Sequence, residues 1–185
     1  MKKIIFVLMA MAITLPMMAQ QKNTKAAKPT TKPKTEQKQA AKPDEAPLPK
    51  VYDEGINAMD QIEMALEEAR NTGRKVICQV GGNWCPWCLR FANFITKDDE
   101  IATIVEKNYV YIHINTSKEN KNTEALRRLG NPGRFGYPVL VILDRQGQVM
   151  HIQNSSYLEL DKSYDRKKVL EFFLNWTDEA IEKIK

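Results

Sequence analysis

The chain has 185 residues, enough for one ordinary domain together with additional segments. Its formal net charge of +5 resides in the N-terminal segments, because residues 51–185 hold 18 basic and 20 acidic side chains, so nucleic-acid binding by the folded part is not indicated. The three cysteines are too few and too clustered for a disulfide-framework fold, and they fit one redox pair with one additional thiol.

Residues 1–19 have the pattern of a secretory signal peptide. Two lysines precede an apolar stretch of 12 residues, Ile4 to Leu15, and Ala19 offers a small residue for cleavage. The stretch is shorter than the roughly 20 apolar residues of a spanning helix, so we expect cleavage and no stable membrane span afterwards. Retention as an uncleaved anchor is the alternative, because Met17 is not the small residue that a cleavage site prefers. Export would place the domain in the periplasm or another extracytoplasmic space.

Residues 20–50 consist almost entirely of Lys, Ala, Pro, Thr and Gln. With so few apolar side chains to bury, this segment cannot offset the entropy lost on ordering, and we predict a disordered linker. A solvated spacer is one interpretation. A basic tether that touches anionic lipid or cell wall is the other.

From residue 51 the composition becomes that of a globular domain, predicted to span 51–185. The spacing of apolar residues predicts, in order, helix 57–70, strand 75–80, helix 86–96, helix 98–107, strand 109–115, helix 123–129, strand 139–143, strand 148–153 and helix 165–184. Asp144 to Gly147 is predicted to be a hairpin turn, and residues 154–164 a loop. This order predicts an α/β domain with a central mixed sheet and helices on both faces.

Cys85 and Cys88 lie between the predicted strand 75–80 and the helix that follows it. At such a junction the first thiol lies near free backbone N–H groups, and the helix dipole favours its thiolate. A thiol pKa lowered from about 8.5 gives a nucleophile near neutral pH. The second thiol lies a turn further into the helix and should be more buried. We therefore predict exchange through a mixed disulfide at Cys85 that Cys88 resolves.

Two alternatives to a redox pair remain, a purely structural disulfide and half of a metal site. A metal site of this kind requires four soft ligands, and only Cys78, His113 and His151 are left to complete one. We therefore predict no metal and no cofactor. Cys78 is expected to pack as a small hydrophobic residue, and both histidines are expected to be ordinary sheet residues.

The run Trp84-Cys85-Pro86-Trp87-Cys88 after a buried strand, together with Tyr137-Pro138 before strand 139–143, resembles the thioredoxin superfamily over residues 55–185. Asn-Trp-Cys and the later Thr-Lys-Asp-Asp-Glu-Ile are most similar to extracytoplasmic thioredoxin-like proteins, such as the C-terminal domain of DsbD. The resemblance implies a thioredoxin fold, Cys85 as the attacking thiol and Cys88 as the resolving thiol. It also implies a cis Pro138 that lies against the disulfide and forms part of the substrate groove.

We therefore expect an exported thiol–disulfide oxidoreductase that acts on protein thiols and disulfides, with a membrane electron donor as a candidate partner. The direction of electron flow stays open. Trp84, Trp87, Tyr137 and Pro138 are the predicted substrate-binding residues, although the two tryptophans would equally serve to shield the disulfide. The alternative function is a thioredoxin-fold binding or scaffold protein that uses the same groove without redox turnover.

Gln79 departs from the pattern of thioredoxins proper, which keep a buried Asp six residues before the first cysteine as a proton acceptor for the resolving thiol. Gln cannot take this proton, so Cys88 would be deprotonated by water or another group. Gln also adds no negative charge beside the sulfurs, which should lower the pKa of Cys85 and stabilise the reduced form. A stabilised reduced form makes a stronger oxidant.

Overall fold

The computed structural model describes residues 47–183. The predicted signal peptide and most of the predicted linker lie outside this range, so those two predictions stay predictions. Residues 47–50, the part of the predicted linker that is described, have no regular secondary structure.

Six helices and six strands are formed within the described range. The helices are α1 (Ala58–Thr72), α2 (Pro86–Lys97), α3 (Asp99–Asn108), α4 (Thr123–Arg128), α5 (Arg166–Asn175) and α6 (Asp178–Glu182). The strands are β1 (Lys75–Gly81), β2 (Tyr109–Asn115), β3 (Val139–Leu143), β4 (Val149–Asn154), β5 (Glu159–Leu160) and β6 (Ser163–Tyr164). The α1 helix is capped at both ends, since the Asn57 side chain accepts a hydrogen bond from the Met59 N–H and Gly73 ends the helix with a φ of 72°.

The central sheet is mixed, as predicted. Its four strands lie in the order β2-β1-β3-β4, with β1 parallel to β2 and antiparallel to β3, and with β3 antiparallel to β4. The parallel register places Gln79 of β1 beside His113 of β2, and the antiparallel register places Leu140 of β3 on its other side. Gln79 is therefore flanked by a strand on each side at the centre of the sheet.

Helices cover both faces of this sheet, which confirms the predicted α/β architecture. One apolar core lies between the sheet and helices α1 and α4, and it contains Val76, Cys78 and Val80 of β1. The other core lies between the sheet and helices α2, α3 and α5, and it contains Ile77. Because side chains alternate along a strand, Gln79 shares the face of Ile77 and lies on the α2 side.

Two predictions for the C-terminal region are wrong. The single helix predicted over 165–184 is divided into α5 and α6, because the Thr177 hydroxyl accepts from the Ala180 N–H and starts a new helix. In α5, Leu174 is 42% exposed, whereas Phe172 is buried. The predicted loop 154–164 instead contains a short 3-10 turn and the two-stranded β5-β6 hairpin.

Among the helices of residues 47–183, none combines the length and the apolar character that crossing a bilayer requires.

Candidate active site

The two predicted cysteines are joined in a disulfide at the N-terminus of α2. Cys85 is the N-cap residue and Cys88 lies in the first turn, with their Cα atoms 5.2 Å apart. Cys85 Sγ accepts a hydrogen bond of 3.1 Å from the Cys88 N–H, so this sulfur receives one of the free amides of the helix start. Pro86 has no N–H and occupies the first helical position, where no hydrogen bond is lost.

Exposure differs slightly between the two sulfur-bearing residues. Cys85 is 5% exposed and Cys88 is fully buried at 0%. An incoming thiolate therefore has its access at Cys85, and Cys88 is covered from solvent. This is the asymmetry that the sequence predicted for a Cys-x-x-Cys turn.

The loop before β3 reaches the disulfide from the other side. The peptide bond between Tyr137 and Pro138 is cis, which confirms what the family resemblance implied. Pro138 is buried, and the Tyr137 ring packs against the cluster formed by Cys85, Cys88 and Tyr52. The structure thus brings the loop that holds the two predicted groove residues to the cysteine pair, which lies about 50 positions earlier in the sequence.

The two tryptophans of the motif have different surroundings. Trp84 is 53% exposed, contacts the Tyr137 ring edge-to-face at 5.4 Å, and donates its indole N–H to the Thr116 carbonyl at 3.0 Å. Trp87 is half-buried, with its ring edge-to-face on Tyr164 at 5.5 Å. Trp84 therefore presents an aromatic surface beside Cys85, whereas Trp87 serves mainly in packing.

A cleft of about 670 Å³ has Trp84, the residue before Cys85, as one wall. Its other walls come from the segment after β2 and from α4, and they include Thr116, Ser117, Lys121 and Leu126. An extended peptide segment that approaches Cys85 would find both apolar and polar contacts here.

Cys78, the third cysteine, lies on the opposite face of the sheet. It is fully buried in the core under α1 and α4, as the sequence predicted. Burial raises the pKa of its thiol to about 12, and Arg128 offsets this only in part. Cys78 is accordingly unreactive near neutral pH.

Comparison with known proteins shows what this arrangement is similar to. A family model described as thioredoxin-like matches residues 57–145, which contain both cysteines of the disulfide and the cis Pro138. Over these residues the chain is similar to thioredoxin-like proteins, and its fold is that of the thioredoxin superfamily.

Solved structures with a similar fold include members of this superfamily. A disulphide isomerase from Xylella fastidiosa Temecula1 is 22% identical with a TM-score of 0.59, and the match covers 67% of this chain and 94% of that chain. A thioredoxin from Thermus thermophilus is 20% identical with a TM-score of 0.49, covering 66% and 88%. The Neisseria meningitidis DsbD C-terminal domain in the oxidised form is 16% identical with a TM-score of 0.46, covering 68% and 97%. No curated protein matches the sequence.

The thioredoxin-like fold and the Cys85–Cys88 pair together suggest a thiol–disulfide oxidoreductase, and a redox role in general. Gln79 occupies the place at which the family resemblance puts the buried Asp of thioredoxins. Gln79 is fully buried, and its amide donates to the Cys88 carbonyl at 3.0 Å and to the Tyr52 hydroxyl at 2.5 Å. Its own carbonyl oxygen accepts from the Tyr111 hydroxyl at 2.7 Å.

Tyr52 and Asn83 are functional-site residues that the sequence interpretation did not identify. Asn83 Oδ1 accepts from the backbone N–H groups of Val51 and Tyr52 at 3.2 and 3.1 Å, and its Nδ2 donates to the Tyr52 carbonyl at 2.8 Å. These three bonds hold the start of the domain against the active-site turn and bury Tyr52, which is 5% exposed, beside the cysteines. No periodic pattern in the sequence indicates that Tyr52 lies beside the Asn-Trp-Cys turn, since the two segments are about 30 residues apart.

His113 also belongs to this region, rather than being only an ordinary sheet residue as expected. Its ring lies edge-to-face between Tyr52 at 5.2 Å and Tyr111 at 5.4 Å, and its Nε2 is buried with no hydrogen-bond partner among residues 47–183. Burial lowers its pKa to about 4, so the imidazole is neutral at pH 7. His151 on β4, in contrast, stacks on the Trp176 ring, with 4.6 Å between the two ring centroids.

Within the described part of the chain, no group of three or more His, Cys, Asp or Glu side chains is placed to hold a metal ion. Cys78 lies on the opposite face of the sheet from the disulfide, so it cannot complete a site with Cys85 and Cys88.

Proposed function

We propose that this protein is an exported thiol–disulfide oxidoreductase that exchanges the Cys85–Cys88 disulfide with protein substrates. The observation that carries the proposal is the position of the disulfide. Cys85 Sγ lies at the N-terminus of a 12-residue helix, accepts an amide N–H there, and faces the cis Tyr137-Pro138 loop. Helix-start amides stabilise a thiolate, which is the species that attacks and that leaves in exchange.

The exchange proceeds in two steps. A substrate thiolate attacks Cys85 Sγ, so that a substrate–Cys85 bond forms, the Cys85–Cys88 bond breaks and the electron pair leaves on Cys88 Sγ. A second substrate thiolate then attacks the substrate sulfur of this mixed disulfide and releases the Cys85 thiolate. The substrate is oxidised by two electrons, and the protein is left as a dithiol. Run in reverse, the same steps reduce a substrate disulfide.

Protein substrates are favoured by the surface around Cys85. Trp84 is exposed beside the sulfur and borders the cleft that ends at α4. The backbone before β3 at Tyr137-Pro138 offers an edge to which an extended substrate segment can add hydrogen bonds. Trp84, Tyr137 and Pro138 would then hold the substrate backbone and side chains, with Trp87 as their packed support.

Export follows from the signal-like residues 1–19, and it places the disulfide in an oxidising compartment. There the protein must either pass its disulfide to substrates or receive electrons, for which a membrane reductase is the candidate partner. The reduction potential measured against glutathione decides between these directions, since a value well above the glutathione couple assigns an oxidant and one well below it a reductant.

The decisive test is insulin reduction by dithiothreitol, catalysed by residues 47–185 of the parent and of the Cys85→Ser and Cys88→Ser variants. We expect catalysis by the parent and its loss in Cys85→Ser. Cys78→Ser is the matched control, because its buried thiol lies on the other face of the sheet and its removal should leave the rate unchanged. Equal activity in the parent and both active-site variants would contradict the proposal.

Trapping separates catalysis from mere binding. In Cys88→Ser the Cys85 thiolate can still attack a substrate disulfide, but the thiol that would release the substrate is missing, so substrate proteins should accumulate as adducts that dithiothreitol releases. If partners instead bind equally to the parent and to Cys85→Ser and stay bound in dithiothreitol, the protein is a scaffold that uses the Trp84/Trp87/Pro138 groove without turnover.

A further inference from the structure

A directional chain of hydrogen bonds runs through the sheet behind the disulfide. The Cys88 carbonyl can only accept, so the Gln79 group that faces it at 3.0 Å must be the NH₂. The same NH₂ lies 2.5 Å from the Tyr52 hydroxyl oxygen, which must therefore accept. On the other side, the Gln79 carbonyl accepts from the Tyr111 hydroxyl. All protons in the chain thus point from Tyr111 through Gln79 toward Tyr52.

This direction leaves the hydroxyl proton of Tyr52 free to be donated onward. Among residues 47–183 it has no acceptor in the oxidised protein, although Tyr52 is 5% exposed and packs against Cys85 and Cys88. The surroundings of Gly81 show which atom the Tyr52 hydroxyl lies near. A methyl group at Gly81 would overlap Cys88 Sγ and would lie 2.9 Å from the Tyr52 hydroxyl oxygen, so the two atoms border the same small space.

We propose that the Tyr52 hydroxyl donates a hydrogen bond to Cys88 Sγ when the disulfide opens, and so stabilises the resolving thiolate where thioredoxins use a carboxylate. The inference rests on the proposed function, because it concerns the step in which Cys88 leaves. The substrate–Cys85 bond forms, the Cys85–Cys88 bond breaks, and the electron pair goes to Cys88 Sγ. Tyr52 keeps its proton and shares it with the thiolate, which takes up a solvent proton later.

The other groups of this region do not compete for that role. Burial raises the pKa of the Tyr52, Tyr111 and Tyr164 hydroxyls, so all three are neutral at pH 7. The hydrogen bond from Gln79 lowers the pKa of Tyr52 only in part. The buried His113 and the amide of Gln79 are neutral as well at pH 7. Tyr111 and Tyr164 already donate, to Gln79 and to the Trp87 carbonyl, and the Tyr137 ring packs against the same cysteine cluster.

Asn83 acts as a positioning residue for Tyr52. It makes three hydrogen bonds to the backbone of residues 51–52 and is bonded in turn to Glu54 at 3.2 Å, a carboxylate on the exposed side of the segment. A backbone anchored at this point fixes where the Tyr52 ring enters the core. Loss of Asn83 should therefore weaken the same contact that loss of the hydroxyl removes.

The test compares the parent with Tyr52→Phe, which keeps the ring and removes only the hydroxyl. The Cys88 pKa is measured by thiolate absorbance with Cys85→Ser as background, where Cys78 does not interfere because its pKa is about 12. Reduction of the disulfide by dithiothreitol is followed by tryptophan fluorescence. We expect Tyr52→Phe to raise the Cys88 pKa by about one unit and to slow reduction by up to about tenfold, in the range of a hydrogen bond to a charged group.

Tyr109→Phe is the matched control. Tyr109 lies on β2, four residues before His113, and its buried hydroxyl donates to the Phe173 carbonyl at 2.6 Å. The substitution therefore also removes one buried hydroxyl. It should lower the unfolding temperature without a change in the Cys88 pKa. Asn83→Ala, which retains the Tyr52 hydroxyl, is the second variant, and it should raise the Cys88 pKa in the same direction.

The outcomes separate the two proposals. A Cys88 pKa that is unchanged in both Tyr52→Phe and Asn83→Ala overturns the role of Tyr52, whatever the insulin assay shows. A parent that fails to reduce insulin, with a Cys88 pKa that still responds to Tyr52→Phe, overturns the proposed function and leaves the hydrogen bond established. Equal shifts in Tyr52→Phe and Tyr109→Phe would assign the effect to general loosening of the core and would also overturn the inference.

Discussion

Gln79 donates an amide hydrogen to the carbonyl oxygen of Cys88 at 3.0 Å, and so links the centre of the sheet to the first turn of α2. In thioredoxins proper, the family resemblance places a proton-accepting carboxylate at this position. Here the same place holds a neutral group that supplies hydrogen bonds. The sulfurs are thus free of a buried neighbouring charge, and the proton chemistry of Cys88 must depend on hydroxyl groups and water.

Substitution of Gln79 by Glu should reverse this electrostatic difference. When ionised, the carboxylate would oppose the nearby thiolate, so we expect the pKa of Cys85 to rise by about one unit from a parental value below 8.5. The variant also loses the amide donor to the buried Cys88 carbonyl, which should lower the free energy of unfolding by about 1–3 kcal/mol. The pKa is measured from the pH dependence of the alkylation rate of the reduced protein.

Gln148→Glu is the control for this substitution, since Gln148 is exposed in the turn before β4 and the change adds the same charge there. It should leave the alkylation profile in place. A parental Cys85 pKa at or above 8.5, or an alkylation profile in Gln79→Glu identical to that of the parent, would contradict the electrostatic argument.

His113 should make stability fall in mild acid. Burial depresses its folded-state pKa to about 4, below the unfolded value near 6.5, so the unfolded chain binds a proton first as the pH falls. The contribution of His113 to the free energy of unfolding is complete above pH 6.5 and is lost as the pH falls toward 4. The loss amounts to about 3 kcal/mol, because each pKa unit corresponds to about 1.4 kcal/mol. The measurement is urea denaturation between pH 7 and 4.

His113→Phe keeps a ring between Tyr52 and Tyr111 and removes the titrating group. The free energy of unfolding of His113→Phe should depend less steeply on pH in this interval. From pH 7.5 upward, the variant and the parent should differ only by a constant offset. His151→Phe is the control and should retain the steep fall, because His113 is still present. Parallel profiles for the parent and His113→Phe would refute the assignment.

The main elements of the fold could be predicted from the sequence because each carries a local signal. The α1 helix has apolar residues on one face, an Asn57 cap and a terminal Gly73, β1 is mainly apolar between Val76 and Val80, and β3 is a continuous apolar run. The break between α5 and α6 also had a signal that was missed. Thr177 is followed by two acidic residues, the usual composition of a helix start, but the apolar spacing continued across it.

Only part of the candidate site could be predicted from the sequence. The disulfide and the cis Pro138 carry family motifs, whereas Tyr52, Tyr111 and His113 come together only through the pairing of β1 with β2 and through Asn83. Such contacts depend on register and on a segment without periodicity. His113 in particular alternates like any sheet residue, and only the structure shows that it lies beside Tyr52.

Gly81, the last residue of β1, should not tolerate a larger side chain. A Cβ there would overlap the Cys88 sulfur, so Gly81→Ala requires the first turn of α2 or the end of β1 to move. We expect a loss of unfolding free energy of about 1–3 kcal/mol in the oxidised protein, which is the usual cost of overpacking. Gly55→Ala is the control, because its Cβ would meet only an Asp53 oxygen at 3.5 Å. A larger loss in Gly55→Ala than in Gly81→Ala would contradict this packing.

Trp84 should affect protein substrates more than small thiols. Its exposed ring borders the cleft but takes no part in the sulfur exchange itself, so Trp84→Ala should raise the KM for insulin about threefold to tenfold, as for an aromatic anchor at an interface. The rate of disulfide reduction by dithiothreitol should stay within about twofold. Met64→Ala is the control, since Met64 is 69% exposed on α1, which covers the opposite face of the sheet. An equal loss with insulin and with dithiothreitol would show that Trp84 acts on the disulfide and not on the substrate.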